Sequence, residues 1–431
     1  MASTEQVRAE ARGWITEHWS PELTLREWWS ALAEAGWAFP TWPTGFGGRD
    51  LGAEAARAVG EELAAAGALG PPAGIGTMMG GPVVIDHGTD EQRDRWLFRL
   101  ASGQESWCQF FSEPGAGSDL ASVQTRAVRD GDIWIVNGQK VWTSGAVTAD
   151  RGLLVTRTNP DAPKHRGISY FICDVDQDGI DIRPLRQMNG AAHFNEVFFT
   201  DVVVPDENRI GDVNDGWAVS LTTLAYERQG IAGGGSAAMG GAAVPGEKSG
   251  VLDLTVAEVQ RRDREASGER AATYALRGPS AIAGLATEQG RADDPLVRQR
   301  IARMHALSEA SRISGMRGRA AAAAGRRPGP EVSTAKLVGA ELGRQARDAA
   351  LGILGAHGML MGDDAPRNGQ FQQMALSVQS GSIAGGTDEI QRNIVGERVL
   401  GLPKEPQVDR DVPFRDVVSA AGRQRPPDPG A

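Results

Sequence analysis

The 431 residues include only two cysteines, Cys108 and Cys173, and six histidines. Two thiols exclude a disulfide framework and a cysteine-based zinc site, and they suit a reducing compartment. No HExxH and no other metal spacing occurs among the histidines, so no metal is expected; a GxxxxGK[ST] phosphate loop is also missing. Positive charge is in deficit, with 45 Lys plus Arg against 55 Asp plus Glu and a net charge of −10. Without a basic excess to displace phosphate counterions, a nucleic-acid binder is excluded. No stretch reaches the roughly 18 to 20 apolar residues that span a bilayer, and MASTEQVRAEARGW has no apolar signal core. A cytoplasmic protein without a membrane segment is expected. The 41% of hydrophobic residues suffices for a substantial core in two or three domains.

Along the chain, periodicity changes twice. Residues 1–104 carry apolar residues at spacings of three and four, as in LREWWSALAEAGWA and AEAARAVGEELAAAGAL, which predicts an N-terminal helical domain. From 105 to 212 come short β-branched and aromatic runs: IWIV (133–136), RGLLVTR (151–157), ISYFICDV (168–175), IDIRPL (180–185) and FNEVFFTDVVV (194–204). Strands in succession without intervening helices predict a middle antiparallel β-barrel or sandwich. Helical periodicity returns over 213–403, predicting a C-terminal helical bundle. The Gly- and Ala-rich segment 232–250 reads as a flexible loop or a continued helix, and 404–431, rich in Pro and charge, as a disordered tail.

The loop EPGAGSD (113–119) has Gly115 and Gly117, but Asp119 and Leu120 follow where a dinucleotide fingerprint needs a third small residue. What it offers instead is a tight turn whose N–H groups and Ser118 hydroxyl suit an anion such as a pyrophosphate. QKVWTS (139–144) adds a Trp and two small hydroxyls at a strand end, a wall suited to a planar redox-active ring.

The run FFSEPGAGSDLASVQTRAVRDGDIWIVNGQKVWTSGA resembles the central region of the acyl-CoA dehydrogenases. GISYFICDVDQDGIDIRPLRQM, FNEVFFTDVVVPDENRIGDVNDGWAVSLTTLAYER and IAGGTDEIQRNIVGERVLGLP extend the likeness over about residues 5 to 403. The resemblance implies an α+β multidomain fold with a helical N-terminal domain, a middle β-domain and a C-terminal four-helix bundle. It implies FAD as cofactor, an acyl-CoA substrate and an electron-transfer flavoprotein or similar acceptor. The implied reaction is α,β-oxidation to the 2,3-enoyl thioester.

Residue by residue, it assigns the Phe111 backbone and Ser112 hydroxyl to the flavin's pyrimidine edge, and Ser118 to the pyrophosphate or acyl-CoA phosphates. Trp142 and Ser144 fall beside the isoalloxazine, and Thr387 and Glu389 at the cofactor's phosphates and adenosine portion. The usual C-terminal base is absent, because its position is Gly385 in Ala384-Gly385-Gly386-Thr387. Some members take the base from a bundle helix just before an Arg, and Glu227, followed by Arg228, matches that alternative; Ser118, Arg228 and Gly385 are then expected on the substrate side. Leu224, Glu227 and Ile231 at i, i+3 and i+7 put Glu227 on the flank of an apolar stripe, where its pKa would rise. A solvated Glu beside a solvated Arg is the competing reading of the same pattern.

Two further departures bear on assembly. The Arg-x-x-Phe-Gly usual after the first bundle helix is missing between Gly233 and Asp293, and Gly352 stands where a Gln is usual. The wording resembles an actinobacterial branch that includes sterol side-chain dehydrogenases built from two unlike subunits. A homodimer or homotetramer, a heterotetramer with a homologous subunit, a non-catalytic partner subunit, and a flavin-dependent oxidase or monooxygenase on the same fold all remain open here.

Overall fold

A computed structural model describes residues 3–232, 244–323, 333–406 and 409–417. The chain forms two compact units, one of Met1–Arg186, Ala192–Ala266 and Gln407–Ala431, the other of Gln187–Ala191 and Ser267–Pro406.

The first unit opens with helices α1 (Thr4–His18), α2 (Leu25–Glu34), α3 (Ala53–Ala65), α4 (Gly81–His87) and α5 (Asp90–Ala101). Three of them start at capping boxes, Ser3 with Gln6, Thr24 with Glu27 and Thr89 with Gln92, each satisfying orphan N–H donors at the helix end. Trp28, Trp29 and Trp96 are fully buried among them. The Trp28 and Trp29 indole N–H groups donate to the carbonyls of Leu69 and Gly70, so two large rings are buried without unpaired donors.

Strands β1 (Trp107–Phe110), β2 (Arg126–Asp130), β3 (Ile133–Ser144), β4 (Arg151–Arg157), β5 (Ile168–Asp174), β6 (Ile180–Leu185), β7 (Phe194–Pro205) and β8 (Arg209–Ile210) follow. They make one sheet in the order β6-β7-β3-β2-β4-β5-β8, with β1 added beside β4. The pairing is antiparallel except at β1 with β4 and at the single β2 pair with β4. Among the described residues the sheet is not closed, having ends at β6 and β8, so the expected barrel is not formed. The sheet bends over itself, because side chains of β3 and β7 share one apolar cluster with those of β1, β4 and β5. Phe110 meets Phe199 edge-on at 5.2 Å inside it. The opposite face of β4 and β5, with Leu153, Val155, Tyr170 and Ile172, packs into the cluster of the N-terminal helices.

Helix α6 (Gly216–Ala232) lies against β5 and α4. Its Thr223 hydroxyl pairs with Tyr170 Oη at 3.1 Å, Thr222 with His87 Nε2 at 2.9 Å, and Tyr226 Oη donates to Asp86 at 2.9 Å. Of the expected flexible loop, 233–243 lie outside the described residues. Of the expected tail, Asp409–Val417 runs along residues 157–166: Lys164 bridges to Asp409 at 2.8 Å, and Arg157 lies 3.8 Å over the Phe414 ring. Residues 407–408 and 418–431 lie outside the described residues.

Helix α7 (Val256–Ala275) adds Val256 and Val259 to the first unit's core. The second unit holds α8 (Pro279–Glu288), α9 (Pro295–Ala323), α10 (Ser333–Leu354), α11 (Gln370–Ser377) and α12 (Asp388–Ile394) around Ile282, Leu285, Met304, Ile353, Phe371 and Met374. No helix among the described residues is long and apolar enough to cross a membrane.

Candidate active site

Strand β1 delivers the chain to a loop, Phe111–Glu113, that is fixed from two sides. The Phe111 ring is buried and meets Tyr170 edge-on at 5.9 Å, so this residue offers only backbone to a ligand. Its carbonyl accepts from Lys140 Nζ at 2.9 Å, and the same ammonium reaches Glu113 Oε1 at 2.8 Å. Lys140 has no exposed surface. The Glu113 carboxylate also accepts the N–H groups of Gln124 and Thr125. Burial alone would raise its pKa, but the Lys140 charge and these donors hold it below the usual carboxylate range. Val141 N–H donates to the Ser112 carbonyl at 2.9 Å, which ties the loop to β3.

One step further along β3 the ladder slips. Lys140 pairs with Val197 and Thr143 with Asn195, leaving an extra residue in a bulge. Trp142 sits there with φ 62°, the left-handed region that costs a bulky side chain about 1–3 kcal/mol. Its indole remains 60% exposed, resting edge-on against Phe194 at 5.9 Å. Strained backbone of this kind clusters at ligand clamps, and an exposed ring on it has little packing to account for it. Ser144, two residues on, is half-buried. Beneath the bulge, Thr143 Oγ1 and Asn195 Oδ1 are buried without a partner among the described residues. Ser118 is exposed two residues past a turn closed by reciprocal backbone bonds between Glu113 and Ala116.

Glu227 on α6 is half-buried, unlike a freely solvated helix Glu. Burial pushes its carboxyl pKa up, partly offset by a hydrogen bond from the Gln109 side chain and by the Arg228 charge. Gln109 lies on β1 two residues before Phe111, so α6 brings the carboxylate to the strand that feeds the loop. Leu224 packs against the first unit's core, as the i, i+3 spacing predicts; the Ile231 side chain lies outside what is described.

Gly385, Thr387 and Glu389 belong to the second unit. Gly385 and Gly386 adopt φ 66° and 85°, and a Cβ on Gly386 would come 2.7 Å from Gln391 Nε2, so the turn is built for glycine. The Thr387 hydroxyl caps α12 by accepting from Ile390 N–H at 3.3 Å. Glu389 is exposed and pairs loosely with Arg392 at 3.4 Å. Buried Asp388, between them, is held by Lys336 at 2.9 Å and Arg344 at 2.7 Å. Gln109, Glu113, Lys140 and Asp388 are absent from the sequence-derived site.

An open indole, the hydroxyls of Ser112 and Ser144, and a carboxylate of raised pKa fit a planar redox ring with an adjacent proton acceptor. Groups of these kinds are what an oxidoreductase site requires. Family profiles for the N-terminal, middle and C-terminal domains of acyl-CoA dehydrogenases match residues 2–104, 108–202 and 271–400. Acyl-CoA dehydrogenase IpdE1 of Mycobacterium tuberculosis is 35% identical over 425 residues, covering 94% of this chain and 99% of that protein. The solved Tcur3481–Tcur3483 steroid ACAD is 28% identical with a TM-score of 0.63, covering 93% of this chain and 98% of its own. The ChsE4–ChsE5 complex of M. tuberculosis is 29% identical with a TM-score of 0.61, covering 94% and 99%. The chain belongs to the acyl-CoA dehydrogenase family, FAD-dependent oxidoreductases acting on the CH–CH bond of acyl thioesters.

Proposed function

We propose that this protein oxidises an acyl-CoA thioester to its 2,3-enoyl product with Glu227 as the base. The observation that carries the reading is the half-buried Glu227 carboxylate, its pKa raised and its orientation set by Gln109, next to the loop of Phe111 and Ser112. A base whose pKa is lifted toward the working pH accepts a proton more effectively than an ordinary carboxylate. FAD, when bound, supplies the acceptor for the β-hydrogen, which leaves with its electron pair. Glu227 takes the α-proton, and the electrons of the broken Cα–H bond become the new double bond.

Phe111 N–H or carbonyl and the Ser112 hydroxyl are assigned to the pyrimidine edge of the ring, Trp142 and Ser144 to its flank, and Ser118 to phosphates of cofactor or substrate. Arg228 keeps Glu227 from rising further. In the second unit, Thr387 and Glu389 are assigned to phosphates and the adenosine portion. Gly385, which cannot take a proton, leaves room for a wide acyl group. That room, with the likeness to a steroid ACAD, supports a polycyclic or branched acyl chain.

A second reading has its own support: the chain works beside a homologous subunit. Gly352 stands where a Gln is usual, and a Cβ there would meet the tip of the Arg300 side chain at 3.0 Å. The relatives ChsE4 and ChsE5 form a complex. The test of the main reading is the flavin-to-protein ratio of the purified chain and the bleaching of its visible absorbance, under nitrogen, by a panel of acyl-CoA thioesters. Bleaching by at least one supports it. A chain that takes up flavin only with a homologous partner favours the second reading, and a flavin-loaded chain that no thioester bleaches rejects the dehydrogenase.

A further inference from the structure

The loop that presents Ser112 is backed by a buried charge with a direct line to it. The Phe111 carbonyl and the Ser112 N–H are the two ends of one peptide group, and the Lys140 ammonium sits on the oxygen end at 2.9 Å. A charge-assisted bond to a carbonyl draws density from the amide and makes the N–H at the other end a stronger donor, most of all where the surroundings are dry. Among the described residues that N–H donates no hydrogen bond. The ammonium is held in register by Glu113 at 2.8 Å, and the next peptide is pinned by the Val141 N–H at 2.9 Å, so the arrangement is rigid.

We infer that Lys140 is a positioning residue that polarises the Phe111–Ser112 peptide toward the cofactor and thereby favours the electron-rich reduced ring over the oxidised one, with Glu113 as the opposing counter-charge. This rests on the reading of Phe111 and Ser112 as flavin contacts. Simple structural support by the pair would make either removal act in the same direction; the relay makes the two act in opposite directions.

The experiment is a spectroelectrochemical titration of the flavin-loaded protein and two variants. Glu113→Gln keeps one acceptor oxygen, for the N–H of Gln124 or of Thr125 but not both, and leaves Lys140 without its counter-charge, so its potential is read at a pH low enough to keep the buried ammonium charged. It is expected to shift the binding preference toward the reduced ring by about tenfold, about 30 mV upward for a two-electron couple. Lys140→Met combined with Glu113→Gln removes both members of the pair while leaving buried Arg157 in place, and is expected to shift it downward by a similar factor. Potentials that stay at the wild-type value, or that both move the same way, overturn the relay while leaving the flavin site standing. If the double variant does not fold, Glu113→Gln decides alone, and an unmoved or lower potential refutes the inference. A wild-type chain that takes up no flavin at all overturns the site reading and the relay together.

Discussion

Replacing Glu227 by Gln tests the proposed base with little collateral change. The two side chains have nearly the same volume, and the amide oxygen still accepts from Gln109, so no cavity and no orphaned donor is created. What disappears is the proton acceptor. A positioned general base contributes about 10²–10⁴-fold, which at about 1.4 kcal/mol per tenfold is about 3–5 kcal/mol of transition-state stabilisation. Bound flavin and its oxidised spectrum are expected to be unchanged, while anaerobic bleaching by the best thioester slows by two to four orders of magnitude. Exchange of the α-hydrogen with deuterium oxide is expected to stop. A variant within twofold of wild type would remove Glu227 from the mechanism; a variant that loses flavin in proportion to activity would make its role structural.

The raised pKa of Glu227 has two consequences for pH. Because the folded carboxyl titrates above its unfolded value, its contribution to stability is complete below the unfolded pKa and is lost as pH rises through the folded pKa. Glu227→Gln is therefore expected to be more resistant to urea than wild type at pH 8 and equal to it near pH 4, and the reverse order would contradict the burial argument. The acid limb of kcat/KM should have its midpoint above 4.5, the ordinary value of a Glu, and a midpoint at or below it would point to another base. Trp142→Gly releases a left-handed backbone and should stabilise the flavin-free protein by about 1 kcal/mol, while weakening flavin binding about tenfold through the lost ring contact. Isothermal titration and urea unfolding read both. Gly386→Ala adds a Cβ 2.7 Å from Gln391 Nε2 at a positive φ and should cost about 1–3 kcal/mol. A thermal midpoint equal to wild type would show that the turn rearranges freely.

Much of the fold was legible because its segments repeat one period cleanly. RGLLVTR and IDIRPL coincide with β4 and β6, and FNEVFFTDVVV with all but the last residue of β7. Strand β2 was not legible: RAVRD buries only Ala127 and presents charges elsewhere, so it reads as a loop. The end of β3 was seen only as a motif, since the bulge breaks alternation at Trp142. Barrel and sandwich could not be told apart because closure depends on edge pairing between β6 and β8, which neither strand encodes in its own pattern. At the site, Glu227 was singled out by the resemblance, which puts a base just before an Arg on a bundle helix; the helix spacing by itself left a solvated Glu–Arg pair open. Lys140 was not singled out, because a strand lysine normally points to water and its counter-charge, Glu113, lies 27 residues away. Gln109 escaped for a similar reason: nothing local to β1 reveals that α6 will lie beside it.

The most direct measurement is a crystal structure of the flavin-loaded protein with a non-reacting acyl thioester. A Glu227 carboxylate oxygen within about 3.5 Å of the thioester α-carbon, with the β-carbon facing the ring, is the predicted result. A carboxylate turned to bulk water with the thioester elsewhere would contradict it, whatever family the fold belongs to.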